Sequence, residues 1–374
     1  MLRSIAIISL LLVLMVGACV VALSMRTPTP PQIAWGPDAH VPPISLEREW
    51  KALDDFAQSI KWSPDGTRLI SVSSFGKWLN VQDLDGNVEQ KTQLPIPFTY
   101  HLVINPQTIV MHGNLESDIA FSVIRLGSND IVFQERMPAG IDLHKAHMAI
   151  HFSLSADGRI LAVAYGGFLP GQPMSLYDTQ NWRKLTVISL PPIYNAGVGP
   201  IAFSRDRDQI AFGASKRLVV VDALLGTVIS EISVAPGFST GASFSPDGRM
   251  IATLVTTPSD VNPGRSTSLG IRIVQLSDQT VIGSHPPPPI AEAECKEEGQ
   301  RCGWNMGLRW HPSGRFVAFE DDLYRVTLWN PFIPKAPDAT IGLRYLDGEL
   351  EFSPDGSRLV VSDSNLIRIF KIGG

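Results

Sequence analysis

A four-residue turn that keeps returning limits what this chain can fold into. Ser63-Pro64-Asp65-Gly66, Ser245-Pro246-Asp247-Gly248 and Ser353-Pro354-Asp355-Gly356 are full copies; Ser155-Ala156-Asp157-Gly158 and His311-Pro312-Ser313-Gly314 are variants. Proline presets φ for the first central position of a type I turn, Asp or Ser bonds the local backbone, and glycine takes the positive φ that closes the hairpin. Each copy precedes a short β-branched or aromatic run, such as Arg68-Leu69-Ile70-Ser71-Val72 or Arg315-Phe316-Val317-Ala318-Phe319. Two degraded copies, Ile104-Asn105-Pro106-Gln107 and Phe203-Ser204-Arg205-Asp206, bring the anchors to seven, at positions 63, 105, 155, 204, 245, 311 and 353. Self-similarity of this kind marks an array of supersecondary units rather than an ordinary enzyme fold.

Within a unit the pattern continues after the second strand. A third strand ends in a polar residue and a tight turn, as in Asn80-Val81-Gln82-Asp83 before Leu84-Asp85-Gly86 and Val219-Val220-Val221-Asp222 before Leu224-Leu225-Gly226, and a fourth strand follows. Four antiparallel strands in about 40 to 45 residues make one blade of a β-propeller. The expectation is an all-β fold, a seven-bladed β-propeller of four-stranded antiparallel blades over residues 44–374. An N-terminal strand near Ile44 to Trp50 is expected to pair with Leu366 to Ile372 and close the ring. On these residues the chain resembles the WD40-like repeat family, in the branch that carries the Ser-Pro-Asp-Gly turn, of bacterial membrane-tethered or lipoprotein type. The resemblance implies a binding scaffold. It does not bring the Asp-His-Ser-Trp network of well-formed repeats: none of the eight tryptophans precedes aspartate, the nearest approach being Leu328-Trp329-Asn330.

Composition agrees with one large β domain. The charged fraction is 18%, below the ordinary level of about 25%. A net charge of -5, from 31 basic and 36 acidic residues, supplies no basic stripe for a nucleic-acid backbone.

Residues 1–26 set the compartment. Ser4 to Met25 carries no charge and is long enough to span a bilayer as one hydrophobic helix, an uncut signal anchor. Val16-Gly17-Ala18-Cys19 also fits a lipoprotein signal, in which Cys19 would be lipidated; the apolar run continuing through Val20-Val21-Ala22-Leu23 speaks against it. Both readings tether the molecule to a membrane. Residues 27–43 hold six prolines and read as an extended spacer. The remaining cysteines, Cys295 and Cys302, lie close together in one loop. An isolated pair in a tethered chain reads as a disulfide and places the propeller on the extracytoplasmic side; two free thiols in a cytosolic protein are the alternative.

Connection lengths give the functional expectation. Antiparallel strands a to d put the a–b and c–d turns on one face and the b–c and d–a connections on the other. The first set is short, apart from the c–d segment Asn330 to Ala339. The second holds the insertions Gly166 to Gly171, Pro191 to Gly199, Thr256 to Ser268 and Ser284 to Asn305. Binding sites favour loops held on rigid scaffolds, and these loops carry Phe168, Tyr194, Phe238 and Trp304, residue types that anchor interfaces. The expected function is protein binding or scaffolding through this face, by a monomeric propeller, with an unidentified protein partner and no cofactor. No Gly-x-Ser-x-Gly elbow, phosphate-cradling loop or His-Glu-x-x-His occurs, so no catalytic residue is assigned and the chain is not expected to be an enzyme. His144, His147 and His151, with Asp142, come nearest to a metal set, yet on a strand His144 falls on the opposite side from the other two, and no metal is assigned. His101 and His112 are further candidates for the channel. The alternative is an enzyme or a small-ligand or metal binder at the channel mouth, where the inner strands offer Lys61, Ser243, Arg309 and Glu351.

Overall fold

The recurring turns are built by their own side chains. In the computed structural model of the protein, Ser63 Oγ donates to Asp65 Oδ1 at 2.6 Å and accepts from the Arg68 backbone N–H at 2.9 Å, while Asp65 Oδ1 also receives the Thr67 N–H at 3.1 Å. The Ser–Asp bond recurs at Ser155–Asp157, Ser245–Asp247 and Ser353–Asp355, at 2.6 to 2.7 Å. Gly66, Gly158, Gly248, Gly314 and Gly356 all lie at φ between 65° and 75°, where a side chain is strained. These bonds favour the ionised carboxylate, so Asp65 and Asp355 are pushed down to about 2 from 3.8. The structure describes residues 41–373 apart from 53–56, 74–77, 95–100, 106, 113–118, 129, 137–149, 166–172, 190–199, 206–207, 215, 259–265, 287–306, 322–324, 334–337, 344–345 and 364.

Each turn joins the inner two strands of a four-stranded blade. After β1 (Ile44–Lys51), blade one is β2 (Ala57–Trp62), β3 (Arg68–Ser73), β4 (Trp78–Asp83) and β5 (Val88–Gln93). Blade two is β6 (His101–Asn105), β7 (Thr108–His112), β8 (Ile119–Arg125) and β9 (Ile131–Arg136); blade three is β10 (Ile150–Leu154), β11 (Ile160–Tyr165), β12 (Pro173–Asp178) and β13 (Lys184–Ser189). Blade four comprises β14 (Ala202–Phe203), β15 (Gln209–Ala214), β16 (Arg217–Asp222) and β17 (Val228–Ser233). Blade five comprises β18 (Phe238–Phe244), β19 (Met250–Pro258), β20 (Ser266–Gln275) and β21 (Val281–His285). Blade six follows with β22 (Leu308–Trp310), β23 (Val317–Asp321), β24 (Arg325–Trp329) and β25 (Ala339–Gly342). Blade seven takes β26 (Leu346–Phe352), β27 (Arg358–Asp363) and β28 (Leu366–Ile372) from the end of the chain and β1 from its start, in the order β1-β28-β27-β26. This is the expected seven-bladed propeller. A bulge between strands c and d recurs in the first five blades, for example at Val81/Gln82 and Val220/Val221, and adds twist before the outer strand.

The core is divided among the blade interfaces. One cluster joins Ala162, Met174 and Leu176 of blade three to Ile210, Phe212 and Val219 of blade four. Another joins Leu254, Ile271 and Ile273 of blade five to Trp310, Val317 and Phe319 of blade six. Equivalent clusters fill the other five junctions, including Ile60, Trp62 and Leu69 of blade one against Val360, Ile367 and Ile369 of blade seven. Blades six and seven are also joined through their turns. His311 Nε2 donates to the Gly356 carbonyl at 2.8 Å, and a Cβ at Gly356 would lie 2.7 Å from that imidazole, so only glycine fits there.

Ring closure has its own fastening. Ile44 pairs with Ile372 and Lys51 with Leu366, as expected from the sequence. Arg358 grips Glu47 with two bonds, Nε–Oε2 at 2.8 Å and Nη2–Oε1 at 3.0 Å, and Arg368 joins Glu49 at 2.6 Å and the buried Asp363 at 2.6 Å. The Arg358 bond holds the Glu47 carboxyl below its ordinary range. One expectation needs correction. Much of the blade-five insertion Thr256 to Ser268 is a strand ribbon rather than loop, because β19 and β20 stay paired out to Pro258 and Ser266. The proposed N-terminal helix lies outside the described residues, among which no helix is long and apolar enough to cross a membrane.

Candidate functional site

The chain order fixes which connections share a face. Strands a and c end on one side at the a–b and c–d turns, and strands b and d end on the other. The first face is plain and capped. Asp222 Oδ1 takes the N–H groups of Leu224 and Leu225 at 2.9 and 2.8 Å, and Asp83 Oδ1 takes those of Asp85 and Asn87 at 2.9 and 2.8 Å. The second face carries the blade-five ribbon and the long d–a connections.

The inner strands are tied by polar side chains at one register position. Lys61, Ser153, Ser243, Arg309 and Glu351 pair with Ile70, Ala162, Ala252, Ala318 and Val360, which are equivalent residues of strand b. Glu351 Oε2 accepts the Trp62 backbone N–H at 2.9 Å, Ser153 Oγ accepts that of Phe203 at 2.9 Å, and Ser243 Oγ accepts that of Trp310 at 3.3 Å. An inner strand leaves its outward N–H groups unpaired within its own sheet, and an unpaired buried donor costs about 1–3 kcal/mol. Neighbouring blades supply the acceptors. The residues read from sequence as channel polars, Ser243 and Glu351, are therefore clamps between blades. Ser153 does the same work; its place two residues before the turn anchor, which it shares with Ser243 and Glu351, is the sequence signal for it.

Of the aromatic residues assigned to the elaborated face, Phe238 is described. It is half-buried at the first position of β18 rather than exposed on a loop. Lys216, on the b–c connection of blade four, holds its Nζ 5.9 Å from the Phe238 ring centroid. Below them, Lys216 O accepts the Val234 N–H at 2.9 Å, and Arg272 Nη1 donates to the carbonyls of Val234 and Ala235 at 2.9 and 3.2 Å. Phe238 pairs with Thr256 at the root of the blade-five ribbon. A cation, an aromatic ring and a projecting hairpin thus share one corner of the elaborated face.

Phe168, Tyr194 and Trp304 lie outside the described residues, as do Cys19, Cys295, Cys302, His144, His147 and Asp142. His151 is described, on β10 opposite Ala164. By count from the turn, His101 would match it. The register decides otherwise: a shift between Val103 and Asn105 sets His101 opposite Met111, the position that Phe152 holds opposite Val163 in blade three. The two histidines are not equivalent. Among the described residues no three His, Cys, Asp or Glu side chains converge in a way that could hold a metal.

No family model matches the sequence, and no curated protein does. Among solved structures, a chain of Kuenenia stuttgartiensis hydrazine synthase is similar, with a TM-score of 0.64 at 17% identity, over 90% of this chain and 99% of that one. The likeness is one of fold: that chain and this one share the propeller architecture.

Proposed function

We propose that this chain is a membrane-tethered, extracytoplasmic propeller of WD40-like type that binds a protein partner through the face bearing its b–c and d–a connections. The observation that carries the reading is the contrast between faces. Short turns stitched by their own Asp and Ser side chains cover one side, whereas the other holds the blade-five ribbon, the Lys216–Phe238 corner and the longest connection, residues 287–306. Rigid scaffolds present recognition residues on such loops. The uncharged Ser4 to Met25 segment supports the tether, by an uncut helix or a lipidated Cys19, and the Cys295–Cys302 pair supports an oxidising side. The test is a crosslinking pull-down from membranes, comparing the intact chain with one whose residues 287–305 are replaced by a glycine-serine turn. The replacement starts after Pro286, because His285 is bonded to Asp338 at 3.0 Å and belongs to the blade. One partner captured by the intact chain and lost with the loop is the expected result; capture of the same partner by both would overturn it.

A second reading has one observation in its favour. The similar hydrazine synthase chain is part of an enzyme, and a ligand at the channel mouth of this propeller would meet inner strands that carry Lys61, Arg309 and His151. Absence of any specific capture, by the intact chain and by the loop replacement alike, would bring that reading forward.

A further inference from the structure

Among the described residues, exposed large apolar side chains gather at the c–d end of the blades. Each of them lies on a c–d connection or within the first four residues of an outer strand, Leu46 on the closing strand β1 included. Val228 and Ile229 open β17, Ile131 and Val132 open β9, and Val281 and Ile282 open β21. The far ends of outer strands are polar, as at Lys51, Gln93, Arg136 and Ser233. Scattered apolar residues on a surface need no explanation, but apolar side chains that recur at one end of successive blades, with a peak at one turn, point to an interaction site.

The peak of this zone is the turn of blade four. Leu224 is 61% exposed and Leu225 75%, the highest values among the described large apolar side chains. The turn does not need them. Its geometry comes from the Asp222 carboxylate on both N–H groups and from the Gly226 N–H bonded to Asp222 O at 2.9 Å. Blades three and five put Gln180-Asn181 and Ser277-Asp278 at the same two places. Phe332, on the c–d connection of blade six, is a second apolar side chain exposed on this side.

The chain also leaves on this side. Strand β28 ends and β1 begins there, with the Gly373 N–H bonded to Pro43 O at 2.9 Å. The spacer and the uncharged Ser4 to Met25 segment therefore connect at the c–d edge. We infer that the plain face lies on the lipid bilayer, with Leu224 and Leu225 entering the headgroup boundary and the elaborated face turned away toward the protein partner. The inference rests on the membrane-tether reading above. An apolar rim with well-capped polar backbone suits this boundary, where apolar side chains leave water while charged neighbours stay wet.

The test places a photoreactive p-benzoylphenylalanine at position 225 in the full chain, in native membranes, and in a second variant at position 233, the far end of β17. Both sites are exposed, so neither change threatens the fold. The expected result is phospholipid adduct at 225 several-fold above that at 233. Equal or lower lipid labelling at 225, or an adduct there to a partner protein or a second copy, would overturn the inference. Alkaline extraction of the same membranes reports the tether separately: a chain that washes off removes the tether reading, whereas a retained chain without lipid adduct at 225 removes only the orientation.

Discussion

His311 shows how one residue can join two blades and make their junction sensitive to acid. It stands where five of the other six turns have serine and one has Asn105. The Ser313 backbone N–H can only donate, so Nδ1, 3.0 Å away, accepts; the Gly356 carbonyl can only accept, so Nε2 carries the proton. The ring is neutral, packed on Phe316 and Phe352, and burial pushes its pKa below the ordinary 6.5, with Arg315 acting in the same direction and the Gly356 bond and Asp355 opposing. An unfolded chain then takes up a proton near pH 6.5 that the folded chain refuses until lower pH, so stability falls as pH drops through that range. Urea midpoints measured at pH 7.5 and 5.5 should show this loss, and His311→Ser, which restores the usual turn residue, should lessen it; an equal loss in both proteins would contradict the assignment. Asp65 and Asp355, at about 2 against 3.8, contribute stability above pH 3.8 that disappears as pH falls toward 2, a separate and lower window.

At the scale of the element, β1 decides whether the ring is closed. Its ladder to β28, the two-bonded Arg358–Glu47 pair and the Arg368–Glu49 pair complete blade seven and tie the start of the chain to its end, converting an open array into a closed one. Removing residues 44–51 should lower the melting temperature by roughly 10 °C, as loss of about 3–5 kcal/mol does in a large domain. Removing residues 1–40 should leave it unchanged. An unchanged melt for the first deletion would contradict closure. The strands were legible in sequence because turn chemistry is local: Pro-Asp-Gly acts within four residues, and β1 was found because an outer strand was missing from the last unit. Register was less legible. The shift in β6 that separates His101 from His151 follows from pairing, as does the blade-five ribbon, in which β19 and β20 stay paired out to Pro258 and Ser266. The clamps made by Ser153, Ser243 and Glu351 depend on the neighbouring blade, which no single repeat reveals. Phe238, expected on a loop, opens β18, because its backbone pairs with Thr256 in a ladder that its local sequence does not announce.

The propeller has two unlike faces, one of short self-capped turns and one bearing the blade-five ribbon. On the two proposals above, the plain face, where the chain enters, would turn toward the membrane and the elaborated face toward a partner. Lysines happen to sample both. Lys216 and Lys296 lie on b–c and d–a connections, while Lys371 lies at the end of β28 on the plain side. Crosslinking of intact membranes with an amine-reactive reagent, read by mass spectrometry, tests the assignment most directly. The account predicts links from Lys216 and Lys296 to one partner protein and none from Lys371 to that partner; links to it through Lys371, with Lys216 and Lys296 unmodified by it, would contradict the central claim.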